Sequence, residues 1–260
     1  MTAARSPRNV AVPAQPRASA GTAAPAHPRA RVAAVDALRA LALVAMIAYH
    51  FCYDLRYFGV LHADFEHDPL WLGARALILG AFLAIAGASL VLAERAGQTP
   101  IEFWRHVGVI GACAAIVSAA SYVMFPRTYI WFGVLHAIAV SLVIARPFVR
   151  HPRVALVIGT SIVIAGLAFA HPAFDNRALG WLGFMTVKPW TEDYVPLFPW
   201  AGVAFCGIAI AHAFARRQVP APAWLTRAPR WLLWCGRHTL AIYLLHQPVL
   251  LGALWVVLHR

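Results

Sequence analysis

Hydrophobic residues along this chain fall into seven blocks of about 20 residues, separated by charges, glycines or prolines. The blocks are residues 34–56, 72–93, 105–125, 129–148, 152–170, 195–216 and 231–258. Because a helix of about 20 apolar residues crosses about 30 Å of hydrocarbon, each block is a candidate membrane span. The pattern predicts an all-α, polytopic transmembrane helix bundle of about seven helices.

The segments outside these blocks suggest how the chain is organised. Residues 1–30 are rich in Ala, Pro and Arg and poor in large apolar side chains, which predicts a disordered basic arm before a transmembrane domain at 31–260. The arm lacks the apolar stretch of a signal peptide, so we expect the first block to remain as a helix. Residues 178–185 are apolar but too short to span, which favours an interfacial or re-entrant piece of the 171–194 loop.

The composition agrees with a membrane protein. Hydrophobic residues make up 61% of the 260 residues and charged residues only 12%, which excludes an ordinary soluble enzyme. The net charge of +12 does not require nucleic acid as a partner, because membrane topology accounts for it. The four cysteines lie apart in apolar segments, so they form neither a Cys-x-x-Cys metal motif nor a disulfide framework.

The distribution of arginines predicts the orientation, since short cytoplasmic loops accumulate Lys and Arg. The arm and alternate loops carry Arg5, Arg8, Arg17, Arg29, Arg31, Arg95, Arg105, Arg146, Arg150, Arg153, Arg216, Arg217, Arg227 and Arg230. The other loops carry most of the acids and fewer cations: Arg56, Arg127, Arg177, Lys188 and Arg260. We therefore expect the N-terminus in the cytoplasm and the C-terminus outside.

The first block carries a polar stripe. Its members are Asp36, Arg39, His50 and Asp54. At about 100° per residue, all four lie within about 60° of one helix face, and at about 1.5 Å per residue the stripe is about 27 Å long. Ionisable groups inside a span are costly and indicate function, although Asp36 and Arg39 also suit a structural ion pair.

Other polar side chains lie in or beside the remaining blocks. They are Arg75, His136, Asp193, Tyr194, Arg237, His238, His246 and Gln247, with His62 and His67 in an acidic loop. The four intramembrane histidines, His50, His136, His238 and His246, would also suit a haem protein. Their spacing and depth match poorly, so we expect neither haem nor metal. A transporter is the other alternative, although inverted repeats and matched broken helices are not evident.

Several motifs resemble a bacterial membrane family that is grouped with the catalytic domain of heparan-alpha-glucosaminide N-acetyltransferase. The first runs from Arg31 through Asp36-Ala-Leu-Arg39 to His50 and Asp54. The later ones are Phe132-Gly-Val-Leu-His136, Asp193-Tyr-Val-Pro-Leu-Phe-Pro-Trp200 and Gly236-Arg-His-Thr-Leu-Ala-Ile-Tyr-Leu-Leu-His246-Gln. Ala40 departs from the family pattern, which usually has Gly there.

The resemblance implies an enzyme that takes acetyl from cytosolic acetyl-CoA, as co-substrate, and delivers it to an amino sugar or related glycan at the outer, periplasmic face. It also implies a catalytic histidine in the outer loop, best matched by His67, eight residues before Arg75, with His62 as an alternative. The resemblance to a bacterial family also implies a bacterial inner (plasma) membrane as the location. We expect a short chain without the large lumenal domain of the animal enzyme, so its acceptor need not be heparan.

The residue chemistry assigns roles within this scheme. A near-neutral imidazole can take the amine proton or carry the acetyl group, so His67 or His50 is the catalytic candidate, with Asp54 orienting His50. Arg39, Arg237 and His238 are candidates for holding the donor, because guanidinium groups bind phosphates.

Candidates for binding the substrate are Arg75, His136, Asp193, Tyr194, His246 and Gln247. We expect a small-molecule or glycan substrate and the lipid bilayer as partners. A homodimer is possible, and the sequence does not decide the oligomeric state. The alternative function is a transporter or flippase for a sugar or lipid-linked substrate, without acyl transfer.

Overall fold

The computed structural model describes residues 28–218 and 220–259 of the chain. Most of the predicted disordered arm, residues 1–27, lies outside the described residues, as does Arg260, which entered the orientation argument. The first helix begins at Pro28, three residues inside the predicted arm. Proline suits the first helical position because its φ is already helical and its missing N–H needs no partner there.

The described residues are helical apart from turns and one isolated bridge between Phe132 and Tyr194, so the all-α prediction is confirmed for them. The longer helices are α1 (Pro28–Tyr57), α2 (Pro69–Arg95), α3 (Pro100–Met124), α4 (Val134–Ala145) and α5 (Pro152–Ala168). They are followed by α6 (Arg177–Gly180), α7 (Leu197–Arg216), α8 (Ala223–Thr226), α9 (Arg230–Arg237) and α10 (Thr239–Leu258).

Five of the described helices, α1, α2, α3, α7 and α10, are long and apolar enough to cross a membrane. Helices α4 and α5 are apolar but shorter, and α4 is extended by a 3-10 turn at Arg146–Phe148. The chain is therefore an integral membrane protein, and the count of seven spans stays a prediction that depends on α4 and α5.

Local sequence signals explain where α2 and α3 begin. The Asp68 side chain accepts a hydrogen bond from the backbone N–H of Leu70, and Pro69 follows it as the first helical residue. Thr99 and Glu102 form a reciprocal capping box ahead of α3. These caps fix the helix starts at the loops that the hydropathy pattern placed between blocks.

The bundle has two ends that the loops define. Segments 58–68, 125–133 and 169–196 meet at one end, which we call the loop-rich end, where Arg75 bonds the carbonyl oxygen of Tyr194. At the opposite end, Arg146 donates to Gln98 and Arg150 pairs with Glu94, which brings segments 96–99 and 146–151 together. Successive long helices run between these ends, in the alternation that the sequence predicts.

Helix α7 packs against α2, α4 and α5, and its buried residues Phe205 and Ile208 belong to the main core cluster. Small residues allow α2 and α7 to approach closely. A Cβ on Gly87 would collide with the backbone of Ala204, and one on Gly207 would collide with that of Ala84. Close backbone packing of this kind holds helices together where lipid removes the hydrophobic driving force.

The last predicted block differs from the structure, since 231–258 is two helices rather than one. α9 ends at Arg237 and α10 begins at Thr239, with His238 between them. The Thr239 hydroxyl donates to the carbonyl oxygen of Gly236 at 2.8 Å, which satisfies a group at the end of α9. The prediction of one continuous helix was wrong, and the break follows directly after the point where Gly236 packs on the Asp36 carbonyl of α1.

The 178–185 segment contains only the short helix α6, capped by the Asn176 side chain, followed by turns. Backbone hydrogen bonds from Leu197 to Trp181 and from Phe198 to Leu182 join it to the start of α7. The segment therefore lies at the loop-rich end, against α7.

Candidate functional site

A polar cluster lies between α1 and α10, toward the loop-rich end. The Gln247 side-chain amide donates to Oδ1 of Asp54 at 2.7 Å, and Asp54 is only 1% exposed. The rings of His50 and His246 lie 5.0 Å apart between centroids, at 61° to each other. The structure thus brings together four side chains that the sequence placed on two separate helices, and we call them the α1–α10 cluster.

Hydrogen bonds fix the tautomer of His246. Its Nδ1 lies within hydrogen-bonding distance of the Tyr243 carbonyl oxygen. A carbonyl only accepts, so Nδ1 carries the proton and Nε2 has the lone pair. His246 therefore presents a basic nitrogen to the interior of the cluster.

Three polar atoms of the cluster are buried without a hydrogen-bond partner among the described residues. They are Oδ2 of Asp54, Nε2 of His246 and Oε1 of Gln247. An unpaired buried polar group costs about 1–3 kcal/mol, so three of them together are unusual in a structural core. All three can accept a hydrogen bond, so the cluster suits a ligand or proton donor that carries N–H or O–H groups.

His67 lies in the 58–68 loop, outside this cluster. Its Nδ1 is 3.0 Å from Oδ2 of Asp64, while Oδ1 of Asp64 accepts the backbone N–H groups of Glu66 and His67. The backbone hydrogen bond from Glu66, with those from His67, holds the pKa of the Asp64 carboxyl below its usual range. The carboxylate therefore stays ionised and orients the imidazole so that Nε2 is its basic nitrogen.

The loop that carries His67 is anchored by aromatic packing. Phe65 is 3% exposed, and its ring contacts Tyr49 and Tyr53 of α1 and Trp71 of α2. His67 itself points outward, with 82% of its side chain exposed. No hydrogen bond joins it to the α1–α10 cluster within the described part of the chain. His62, the alternative, is also exposed.

Asp193 and His136 bind the start of α4. Oδ2 of Asp193 accepts the Val134 N–H at 2.8 Å, and Nδ1 of His136 accepts the Gly133 N–H at 3.2 Å. Nε2 of His136 then lies 3.4 Å from the Ser118 hydroxyl. Both ring nitrogens are thus engaged, which suits an anchoring role better than proton transfer.

Arg75 and Tyr194 also bond the protein itself. Arg75 donates to the Tyr194 carbonyl at 3.1 Å, and the Tyr194 hydroxyl donates to the Gly180 carbonyl at 2.6 Å. Burial raises the pKa of Tyr194 to about 12. Burial also raises the pKa of Asp193, against the opposing effects of the Val134 N–H and Arg75. These groups hold the loop-rich end in shape around the start of α4.

The donor-binding candidates lie near the opposite end. Arg39 bonds Asp36 at 3.1 Å and Ser89 at 2.6 Å, the i,i+3 ion pair that the sequence allowed. Gly236 packs on the Asp36 carbonyl and places the exposed Arg237 beside this pair. Nε of Arg237 bonds the Leu233 carbonyl, while its terminal nitrogens have no hydrogen-bond partner among the described residues.

His238 lies next in the chain and is also exposed, with its ring stacked on Trp234 at 4.4 Å. Its Nδ1 bonds the Trp234 carbonyl at 2.9 Å. The structure therefore places Arg237 beside the Asp36–Arg39 pair at the contact between α1 and α9. No hydrogen bond or ion pair joins His238 to that pair among the described residues.

Some partners in these sites were not identified from the sequence. Ser89 completes the bonding of Arg39, Phe65 anchors the His67 loop, and the Tyr243 carbonyl orients His246. Phe65 could have been identified from the sequence, because a lone large apolar residue among acidic residues indicates a buried anchor. Nothing in the sequence points to Ser89 or to the Tyr243 carbonyl. Residues 28–218 and 220–259 hold no group of three or more His, Cys, Asp or Glu side chains that could bind a metal ion.

Comparison with known proteins gives one match. The model of the family described as "Heparan-alpha-glucosaminide N-acetyltransferase, catalytic" matches residues 31–248, which include every candidate side chain described above. No curated protein and no solved structure matches the chain.

Proposed function

The chain belongs to the heparan-alpha-glucosaminide N-acetyltransferase catalytic family, and from this premise we propose which reaction it performs and where. The family implies a membrane enzyme of the acyltransferase type. The proposed reaction transfers the acetyl group of cytosolic acetyl-CoA to the amine of an amino sugar or related glycan at the outer face.

The observation that carries this proposal is the polar face of α1. Its Asp36–Arg39 pair lies against α9 near the opposite end, and its His50 and Asp54 lie against α10 toward the loop-rich end. The stripe extends over about 27 Å of helix, close to the thickness of the hydrocarbon core. One helix thus presents polar groups to a donor at one membrane face and to an acceptor at the other.

The proposed donor site is the surface formed by Arg39, Arg237 and His238. Arg237 has terminal nitrogens available for the phosphates of the coenzyme, and charge-assisted bonds of this kind are strong. Arg39 is already paired with Asp36 and bonded to Ser89 of α2, so its role is to hold α1 against α2 beside Arg237. This assignment requires the opposite end to face the cytoplasm, with seven spans and a cytoplasmic N-terminus, as the arginine distribution predicts.

The chemistry needs a base for the amine proton. In direct transfer, the amine nitrogen attacks the thioester carbonyl carbon, a histidine Nε2 takes the N–H proton, and the C–S bond breaks to release the coenzyme thiolate, which the imidazolium can protonate. In the two-step alternative, Nε2 attacks the carbonyl carbon and the C–S bond breaks to release the thiolate. The amine nitrogen then attacks the acetyl carbon, the bond from that carbon to Nε2 breaks, and the freed Nε2 takes the amine proton, which balances the charge of the released thiolate.

Three histidines are candidates for this role. His67 is oriented by the ionised Asp64 and is accessible from the outer face, which supports it as the base or acetyl carrier. His246, which the sequence suggested only for substrate binding, has a basic nitrogen inside the α1–α10 cluster, and His50 lies beside it. The sequence suggested that Asp54 orients His50, but the hydrogen bond of Asp54 is with Gln247, so Asp54 orients Gln247 instead.

Transfer from labelled acetyl-CoA to glucosamine in proteoliposomes tests the assignment. We expect His67→Ala or His50→Ala to lower transfer at least about 100-fold, while His62→Ala retains it. If His67→Ala, His50→Ala and His246→Ala all keep full transfer, the assignment of roles is wrong. Accumulation of glucosamine inside sealed vesicles without acetyl-CoA would favour the transporter alternative.

A further inference from the structure

A cavity of about 400 Å³ opens at the loop-rich end, and none of its lining residues belongs to the α1–α10 cluster or to the His67 loop. Positive charge and aromatic surface dominate its wall. The side chains that matter here are Arg127, Arg177, Lys188, Asp175, Trp131 and Trp190. Three cations against one carboxylate give the cavity an excess of positive charge.

The single carboxylate is already bound to the protein. Oδ1 of Asp175 accepts the Thr186 N–H at 2.7 Å, and Oδ2 accepts the Thr186 hydroxyl. The hydroxyl bond, with the backbone bonds, holds the pKa of Asp175 below its usual range. Asp175 is in no salt bridge with a described residue, and its hydrogen bonds to Thr186 fix the turn before Lys188.

The cations, in contrast, have little to bind. Arg177 lies over the Tyr129 ring at 5.2 Å and is 3.4 Å from its hydroxyl. Arg127 and Lys188 are exposed and have no hydrogen bond or salt bridge with any residue that the structure describes. Guanidinium forks combined with an ammonium group match the several oxygens of a phosphate.

Apolar surface lies beside these charges. Trp190 is 87% exposed and Val187 is 67% exposed, and both line the cavity. Tryptophan and cations at the ends of membrane helices lie at the level of the lipid headgroups. A ligand that carries both a phosphate and an apolar part would therefore satisfy the whole wall.

We propose that this cavity binds a phosphate-bearing ligand, with Arg127 and Lys188 holding the phosphate and Trp190 contacting the remainder of the molecule. The phosphate belongs to a lipid headgroup or to a soluble phosphate ester. The proposal does not depend on acyl transfer, since no residue of the donor or transfer sites takes part in it.

The test uses the full chain in detergent with three probes: inorganic phosphate, glycerol 1-phosphate and phosphatidylglycerol. Calorimetry measures the first two, and native mass spectrometry measures retained phosphatidylglycerol against phosphatidylcholine. The variant is Arg127→Gln/Lys188→Gln, and Arg56→Gln/Arg153→Gln is the control, which removes the same charge away from the cavity. We expect the variant to lose affinity by about tenfold or more per cation, and the control to match the wild type.

Each outcome decides the matter. If the wild type retains phosphatidylglycerol in preference to phosphatidylcholine and the variant does not, the site exists and its ligand is a lipid. If only glycerol 1-phosphate or inorganic phosphate binds, and the variant weakens that binding, the site exists and its ligand is a soluble phosphate. Binding of all probes that the variant leaves unchanged, or no binding by the folded wild type, overturns the proposal.

Discussion

The hydrogen bond between Gln247 and Asp54 makes the α1–α10 cluster testable without knowledge of the substrate. Replacing Gln247 with Leu keeps the side-chain size but removes the donor 2.7 Å from Oδ1 of Asp54. Since Oδ2 already has no partner among the described residues, the variant leaves both carboxyl oxygens unbonded in a residue that is 1% exposed. An unsatisfied buried group costs about 1–3 kcal/mol, and more when it is charged, so the loss at the Asp54 carboxylate outweighs the gain from removing the unpartnered Oε1 of Gln247.

This cost converts into a measurable change in thermal stability. A change of 1 kcal/mol shifts the Tm of a domain of this size by about 2–4 °C, so Gln247→Leu should lower the Tm by about 2–12 °C in neutral detergent. The double variant Asp54→Leu/Gln247→Leu should recover much of the loss, because removing both polar partners costs less than removing one. Val249→Ala, at a position of α10 that is 64% exposed, is the control and should change the Tm little.

The double-mutant cycle contains the refutation. If Gln247→Leu is as stable as Val249→Ala, or if the two leucine substitutions simply add, then Asp54 and Gln247 are not coupled and the α1–α10 cluster does not exist as described.

Three further predictions follow from single contacts. Gly236→Ala should lower the Tm and weaken acetyl-CoA binding, because its Cβ meets backbone of α1 and such overpacking costs about 1–3 kcal/mol, whereas Gly252→Ala, with open space around it, should do neither. The pKa of the Asp193 carboxyl is higher in the folded protein than in the unfolded chain, so the stability that it contributes should fall as the pH rises above about 4. In a series of Tm measurements from pH 4 to 8, Asp193→Asn should therefore show a smaller fall than the wild type. Asp64→Asn should lower kcat roughly tenfold and leave KM unchanged, because His67 loses the carboxylate that orients it. An equal lowering of kcat and KM would contradict this role.

The sequence was most informative where a local pattern determines the structure. Apolar runs predicted the ends of α1 to α5 and α7 to within six residues. The helical period placed His50 and Asp54 on one face of α1, where α10 packs. The family match confirmed the resemblance that the motifs indicated. These features depend on residues close in sequence or on patterns repeated along a helix.

Contacts between distant segments were beyond sequence reasoning. Asp193 binds the N–H of Val134, 59 residues away, so its place as a helix cap was not evident from its neighbours. The close packing of Gly236 on α1, two residues before the break at His238, likewise joins segments that are distant in sequence. Whether a buried histidine is chemically available, as His246 is and His136 is not, depends on main-chain groups and a serine hydroxyl, which no motif reveals.

The most direct test of the account is the binding of acetyl-CoA to the purified protein, which does not require the acceptor to be known. We predict saturable binding that free acetate does not displace and that Arg237→Gln weakens by about tenfold or more. Arg153→Gln, an exposed cation at the same end of the bundle, should bind as the wild type does. If the folded protein binds no acetyl-CoA, or if Arg237→Gln binds it unchanged, the proposed donor site is wrong.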